Sequence, residues 1–72
     1  MSDSIRGNLM NSFLYFRQKQ NLTQQQVAEI MKIDQTTVSR WEKGRKLPRA
    51  GKLPILSGLY HCHMEDLFKE YK

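Results

Sequence analysis

Long apolar runs are missing from this chain. No stretch approaches the ~20 consecutive residues that cross a bilayer, so no membrane span is expected. The opening "MSDSIRGN" has no apolar segment of the kind a secretory leader carries. Cysteine is almost absent: Cys62 is alone and cannot close an internal disulfide, which excludes a disulfide scaffold and favours the cytoplasm. Glycine and proline are few, at four and two, and no linker, repeat or low-complexity stretch breaks the chain. β-branched alternation is also lacking, so nothing reads as a strand. Acidic residues are scarcest where basic ones gather. Arg40, Lys43, Arg45, Lys46, Arg49 and Lys52 fall within thirteen positions that hold one acid, Glu42.

What remains is a helical chain with enough apolar content to fold. Its 72 residues are 39% hydrophobic and include Trp, Tyr and Phe. That suits one domain over 1–72, near the lower limit for a self-standing core, and argues against disorder. The core is expected over about 8–68. The first helix should run from Asn8 to Gln20 with Leu9, Phe13 and Phe16 as its inner stripe, and Asn21 is a suitable break. The second starts at Thr23. Thr23 with Gln26 three residues on forms a capping box, and Val27, Ala28 and Met31 face inward. The third spans Gln35 to Lys43, between Asp34 as cap and Gly44 as stop. A fourth begins near Ala50 or Gly51, with Pro54 in its first turn and Leu53, Leu56 and Tyr60 inward. A short fifth follows His63, with Met64, Leu67 and Phe68 inward. The expected architecture is all-α, a compact bundle of about five short helices.

The third helix raises the functional question. In "DQTTVSRWEKGRK", Val38 and Trp41 form a narrow apolar stripe. The opposite face offers Gln35, Thr36, Ser39, Arg40 and Lys43. An ordinary solvated face mixes Glu with Lys; this one presents amides, hydroxyls and cations. Net charge is +5, from 12 basic and 7 acidic residues. A basic patch beside a helix is the electrostatic footprint of a phosphate-backbone binder, although such clusters also occur on proteins that bind nothing anionic. The gap before this helix is only "KID", Lys32 to Asp34, which forces a steep crossing with the helix before it. Ala28 allows close approach and Ile33 fills the corner. This is a helix-turn-helix pattern, whose second helix enters the DNA major groove.

The run "LTQQQVAEIMKIDQTTVSRWEKGRKLPR" closely resembles the lambda-repressor-like, Cro-type (XRE) helix-turn-helix family. Leu22, Thr23, Gln24, Val27, Ala28, Ile33, Val38, Ser39, Trp41, Glu42, Gly44 and Pro48 match the family pattern in kind or identity, and "MEDLF" is similar to its closing helix. The resemblance spans about Leu9 to Phe68. Lys32 and His61 stand where the family commonly has glycine, and Pro54 and Gly58 are unusual in the fourth helix.

The resemblance implies that Gln35, Thr36, Ser39 and Arg40 meet base edges. Gln can bond adenine N6 and N7, Arg can bond guanine O6 and N7, and a Thr methyl can meet the thymine methyl. It implies that Gln24, Lys43, Arg45, Lys46 and Arg49 meet phosphate, setting register rather than sequence. It implies a structural ion pair between Arg17 and Glu42 and dimer contacts from Tyr60, His61, Cys62, His63 and Met64. The expected function is that of a small Cro-like repressor, bacterial or phage-encoded and nucleoid-associated. It would act as a homodimer on a pseudo-palindromic operator, as a phage repressor or a controller of a restriction-modification operon does. The partner is double-stranded DNA, with no membrane, no cofactor and no small-molecule ligand expected; the length leaves no room for a sensing domain.

Each residue also has a plainer reading. Gln24 and Gln35 are ordinary first-turn polar residues, and Thr37 suits helix packing. "HCH", His61 to His63, invites a metal, yet adjacent residues do not easily close on one ion and zinc sites use wider spacings, so no metal is expected. An antitoxin or other protein-interaction module is the alternative function. It calls for an extended tail, and only "KEYK" follows Phe68. An enzyme is not expected: no nucleophile–base set and no glycine-rich loop is present.

Overall fold

Asn11 decides where the first helix begins in the computed structural model, which describes residues 10–71. Its side chain accepts a hydrogen bond from the Phe13 N–H at 2.8 Å, so α1 runs Ser12–Lys19. The expected start at Asn8, and Leu9 with it, lies outside the described residues. Before the cap, Met10–Asn11 (β1) pairs antiparallel with Glu70–Tyr71 (β2), Met10 opposite Tyr71 and Asn11 opposite Glu70. This corrects the expectation of no strand. A two-residue pairing is too short to carry the alternation by which strands are read.

α2 is Gln24–Met31. Its capping box forms in both directions, with Thr23 Oγ1 accepting from Gln26 N at 3.0 Å and Gln26 Oε1 accepting from Thr23 N at 2.8 Å. α3 is Gln35–Glu42, with Asp34 at its cap position but making no side-chain capping bond. A 3₁₀ turn at Ala50–Lys52 leads into α4, Leu53–Tyr60, and Pro54 sits in the first turn, where its missing N–H costs nothing.

All four α-helices end in one motif. A residue with positive φ follows the helix, and two backbone N–H groups reach back to its last turn. The positive-φ residues are Asn21, Lys32, Gly44 and His61, at φ 56, 59, 73 and 54. The long return bonds run from Leu22 N to Arg17 O, Ile33 N to Ala28 O, Arg45 N to Arg40 O and Cys62 N to Ser57 O. Such repeated stops keep the helices to two turns each and the loops between them short.

The core consists of Phe13, Val27, Ala28, Met31, Val38, Trp41, Leu56, Tyr60 and Leu67. Phe13 and Trp41 meet with ring centroids 6.2 Å apart, joining α1 to α3. The expected fifth helix is a 3₁₀ segment, Met64–Phe68. Only Leu67 of its apolar residues is buried. Met64 and Phe68 are exposed, a correction to the inward stripe, because the tighter 3₁₀ winding moves them off the face an α-helix would bury. The segment is held from α1 by Ser12 Oγ, which donates to Leu67 O. Tyr15 stacks on Tyr71 at 4.3 Å, Phe16 packs edge-on against both, and Tyr71 Oη donates to Asp66 O at 2.8 Å. Among the described residues no helix is long and apolar enough to cross a membrane.

Candidate nucleic-acid interface

The turn between α2 and α3 sets the geometry. Lys32 adopts the left-handed conformation, Ile33 tucks against the core, and Asp34 restarts the chain in extended backbone. Ala28 and Val38 are buried at the crossing. α3 therefore commits Val38, Trp41 and Glu42 to the interior and turns its polar face outward. Gln35, Thr36 and Arg40 are exposed; Ser39 and Thr37 are half-buried. At 1.5 Å per residue an eight-residue helix is about 12 Å long, close to the width of the DNA major groove.

The chain leaving α3 continues this surface. Lys43, Arg45, Lys46 and Arg49 are all exposed, and among the described residues none of them takes part in an ion pair. Cations unspent on protein carboxylates remain available to an external anion. Beside them lies a groove of about 280 Å³, with Ile33, Trp41 and Pro48 for apolar walls and Lys46, Arg49 and Lys52 along it.

Behind the surface stands a polar cluster. The Arg17 guanidinium on α1 clasps the Glu42 carboxylate at the end of α3, Nε to Oε2 at 2.5 Å and Nη2 to Oε1 at 3.0 Å. Arg17 Nη1 also donates to Leu22 O at 2.8 Å. The side chains are 14% and 4% exposed, so the pair is largely withdrawn from water. The hydrogen bond to Glu42 holds the Arg17 pKa above its ordinary value. Gln24, at the start of α2, donates from Nε2 to Glu42 Oε1 at 2.9 Å, and its Oε1 accepts from Gln35 Nε2 at 3.2 Å. The side chains named separately in the sequence as phosphate contact, base reader and ion pair are thus hydrogen-bonded to one another. Sequence reasoning missed that connection. Its signal was an amide at the start of each of two tightly crossing helices, with a carboxylate at the far end of the second.

The residues expected at a dimer contact divide. Tyr60 is 1% exposed and belongs to the core. Its phenol has no hydrogen-bond partner among the described residues, and burial raises its pKa. His61, His63 and Met64 are exposed, and Cys62 is half-buried with its thiol pKa raised by burial. Among the described residues no group of three His, Cys, Asp or Glu side chains is placed to hold a metal ion.

Comparison with known proteins follows the same surface. A family model described as helix-turn-helix matches residues 14–67, from α1 through the last buried leucine. The chain belongs to the XRE-type helix-turn-helix family. Within this family chain, α2 and α3 are the two helices of the motif, and α3 is the one such motifs lay in the major groove. A relative is the HTH-type transcriptional activator BcrR of Enterococcus faecalis, 33% identical over 51 residues, covering 71% of this chain and 25% of that protein. The helix-turn-helix chain described here thus spans about a quarter of that relative's length. No solved structure matches it significantly.

Proposed function

We propose that this chain is a sequence-specific double-stranded DNA-binding transcription regulator, a small Cro-like repressor that occupies a pseudo-palindromic operator as a homodimer. The observation that carries the reading is the outward face of α3, which offers amide, hydroxyl and guanidinium groups beside a row of cations that take part in no ion pair among the described residues. Gln35, Thr36, Ser39 and Arg40 read base edges. Gln24, Lys43, Arg45, Lys46 and Arg49 hold phosphates and fix the register. One eight-residue helix reads few base pairs, so two copies bind half-sites about one helical turn apart. His61, Cys62, His63 and Met64 supply part of the contact between copies. Repression follows from occupancy, since a bound protein blocks polymerase without any further surface.

Selection of binding sites from random duplex DNA tests this reading. The expected result is an enriched palindrome whose half-sites lie about 10 base pairs apart. A pool that stays random after repeated selection would overturn it. A reporter under the enriched site should fall in expression when the protein is supplied; a rise would reverse the proposed sign of regulation.

A further inference from the structure

We propose that the groove between α3 and the chain that follows it binds a small carboxylate with an apolar body, an aryl or branched-chain acid, and that this ligand competes with DNA. The competition rests on the reading of α3 and its flanking cations as a DNA surface; the ligand site does not. The groove holds about 280 Å³, at the small end for ligand sites. Trp41, Leu47 and Pro48 give it apolar walls, and Lys46, Arg49 and Lys52 line the same space. No acidic side chain lines it, and among the described residues none of the three cations forms an ion pair. Trp41 also carries a buried indole N–H with no hydrogen-bond partner among the described residues, so one lining residue holds an unspent donor.

Each half of the lining argues against a simpler occupant. A bare phosphate uses the cations alone and leaves the apolar walls in water. A neutral apolar molecule covers the walls and draws nothing from the charge. An amphipathic anion uses both. The Arg49 guanidinium offers a carboxylate a two-pronged partner. Leu47, 64% exposed on the groove's edge, is the most exposed large apolar side chain among the described residues, and an apolar body laid on it removes that surface from water. Lys46 and Arg49 are also proposed phosphate contacts. A carboxylate seated among them takes charge that DNA would use, so a rising concentration of the acid releases the operator. No small-molecule ligand was expected because the length leaves no room for a sensing domain; this groove lies within the DNA-binding domain itself.

Trp41 is the chain's one tryptophan, so its emission reports on this groove without a label. Phenylacetate is titrated into the full chain at constant ionic strength. Phenylacetamide (the body without the charge) and inorganic phosphate (the charge without the body) are the comparators. Phenylacetate should change the emission saturably, with a Kd on the order of 1 mM for so small a ligand. Both comparators should bind about tenfold more weakly or not at all. Leu47→Ala and Lys52→Gln lie outside the buried core, and each should weaken phenylacetate several-fold. No saturable change, an equal response to either comparator, or unaltered affinity in both variants would overturn the site. Binding to the selected duplex is then measured with phenylacetate at about ten times its Kd, where duplex affinity should fall several-fold. If the emission saturates and duplex affinity holds, the competition is overturned and the ligand site stands. If the chain binds no duplex even without phenylacetate, the competition falls with the DNA-binding reading, and the emission titration decides the site by itself.

Discussion

At three of the four helix ends a side chain occupies a backbone conformation that glycine adopts most easily. Asn21 suits it, because a short amide tolerates positive φ. Lys32 and His61 do not gain in that way, and both stand where the family commonly has glycine. Lys32→Gly and His61→Gly should each raise stability in urea by up to roughly 1 kcal/mol, less the unfolded-state entropy that glycine adds. Gly44→Ala should lower it by a similar ~1 kcal/mol, although open space surrounds that position, because the strain lies in the backbone at φ 73. Tyr60 is the second informative residue. Burial raises its pKa above the ordinary 10.0, so the unfolded chain ionises first. Its contribution is complete below pH 10 and is lost as pH rises from there toward the folded-state value. Tyr60→Phe removes a buried hydroxyl that has no hydrogen-bond partner among the described residues. Melting curves should therefore show it equal to or more stable than the unaltered protein at pH 7, with a shallower decline above pH 10.

At the scale of elements, the Arg17–Glu42 pair ties α1 to the end of α3 across 25 residues of sequence. Glu42→Gln leaves a guanidinium withdrawn from water with half its partner gone. It should cost roughly 2–4 kcal/mol in denaturant unfolding; an unchanged midpoint would show that the pair holds nothing. The elements themselves differed in how far they could be read beforehand. α2, its capping box, the three-residue turn and α3 were legible because each rests on neighbours in sequence: Thr23 with Gln26, Lys32 to Asp34, Gly44 as stop. The β1–β2 pair was not, since two residues show no period. Nor was the 3₁₀ winding after His63, where "MEDLF" reads as an ordinary amphipathic turn and leaves Phe68 exposed. The polar face of α3 was visible as a pattern. The hydrogen-bonded cluster beneath it was not, because residues 24, 35 and 42 meet only once both helices and the turn are folded.

At the scale of the whole molecule, charge and symmetry govern the proposed binding. Net charge is +5, and a row of exposed cations borders α3, so association with DNA should depend steeply on salt. Arg45→Ala and Lys46→Ala should weaken selected and random duplexes about equally, each reducing the log–log salt slope by roughly one. Two protomers per full site are expected in stoichiometric titrations, and a complex that saturates at one would overturn the homodimer. The central claim, that the outward face of α3 reads sequence, is tested most directly by the affinity ratio between the selected duplex and random DNA for Arg40→Ala and Gln35→Ala at fixed salt. The account predicts that each loses about 1–3 kcal/mol on the selected duplex and far less on random DNA, so the ratio collapses. If both variants keep the full ratio of the unaltered protein, that face does not read DNA.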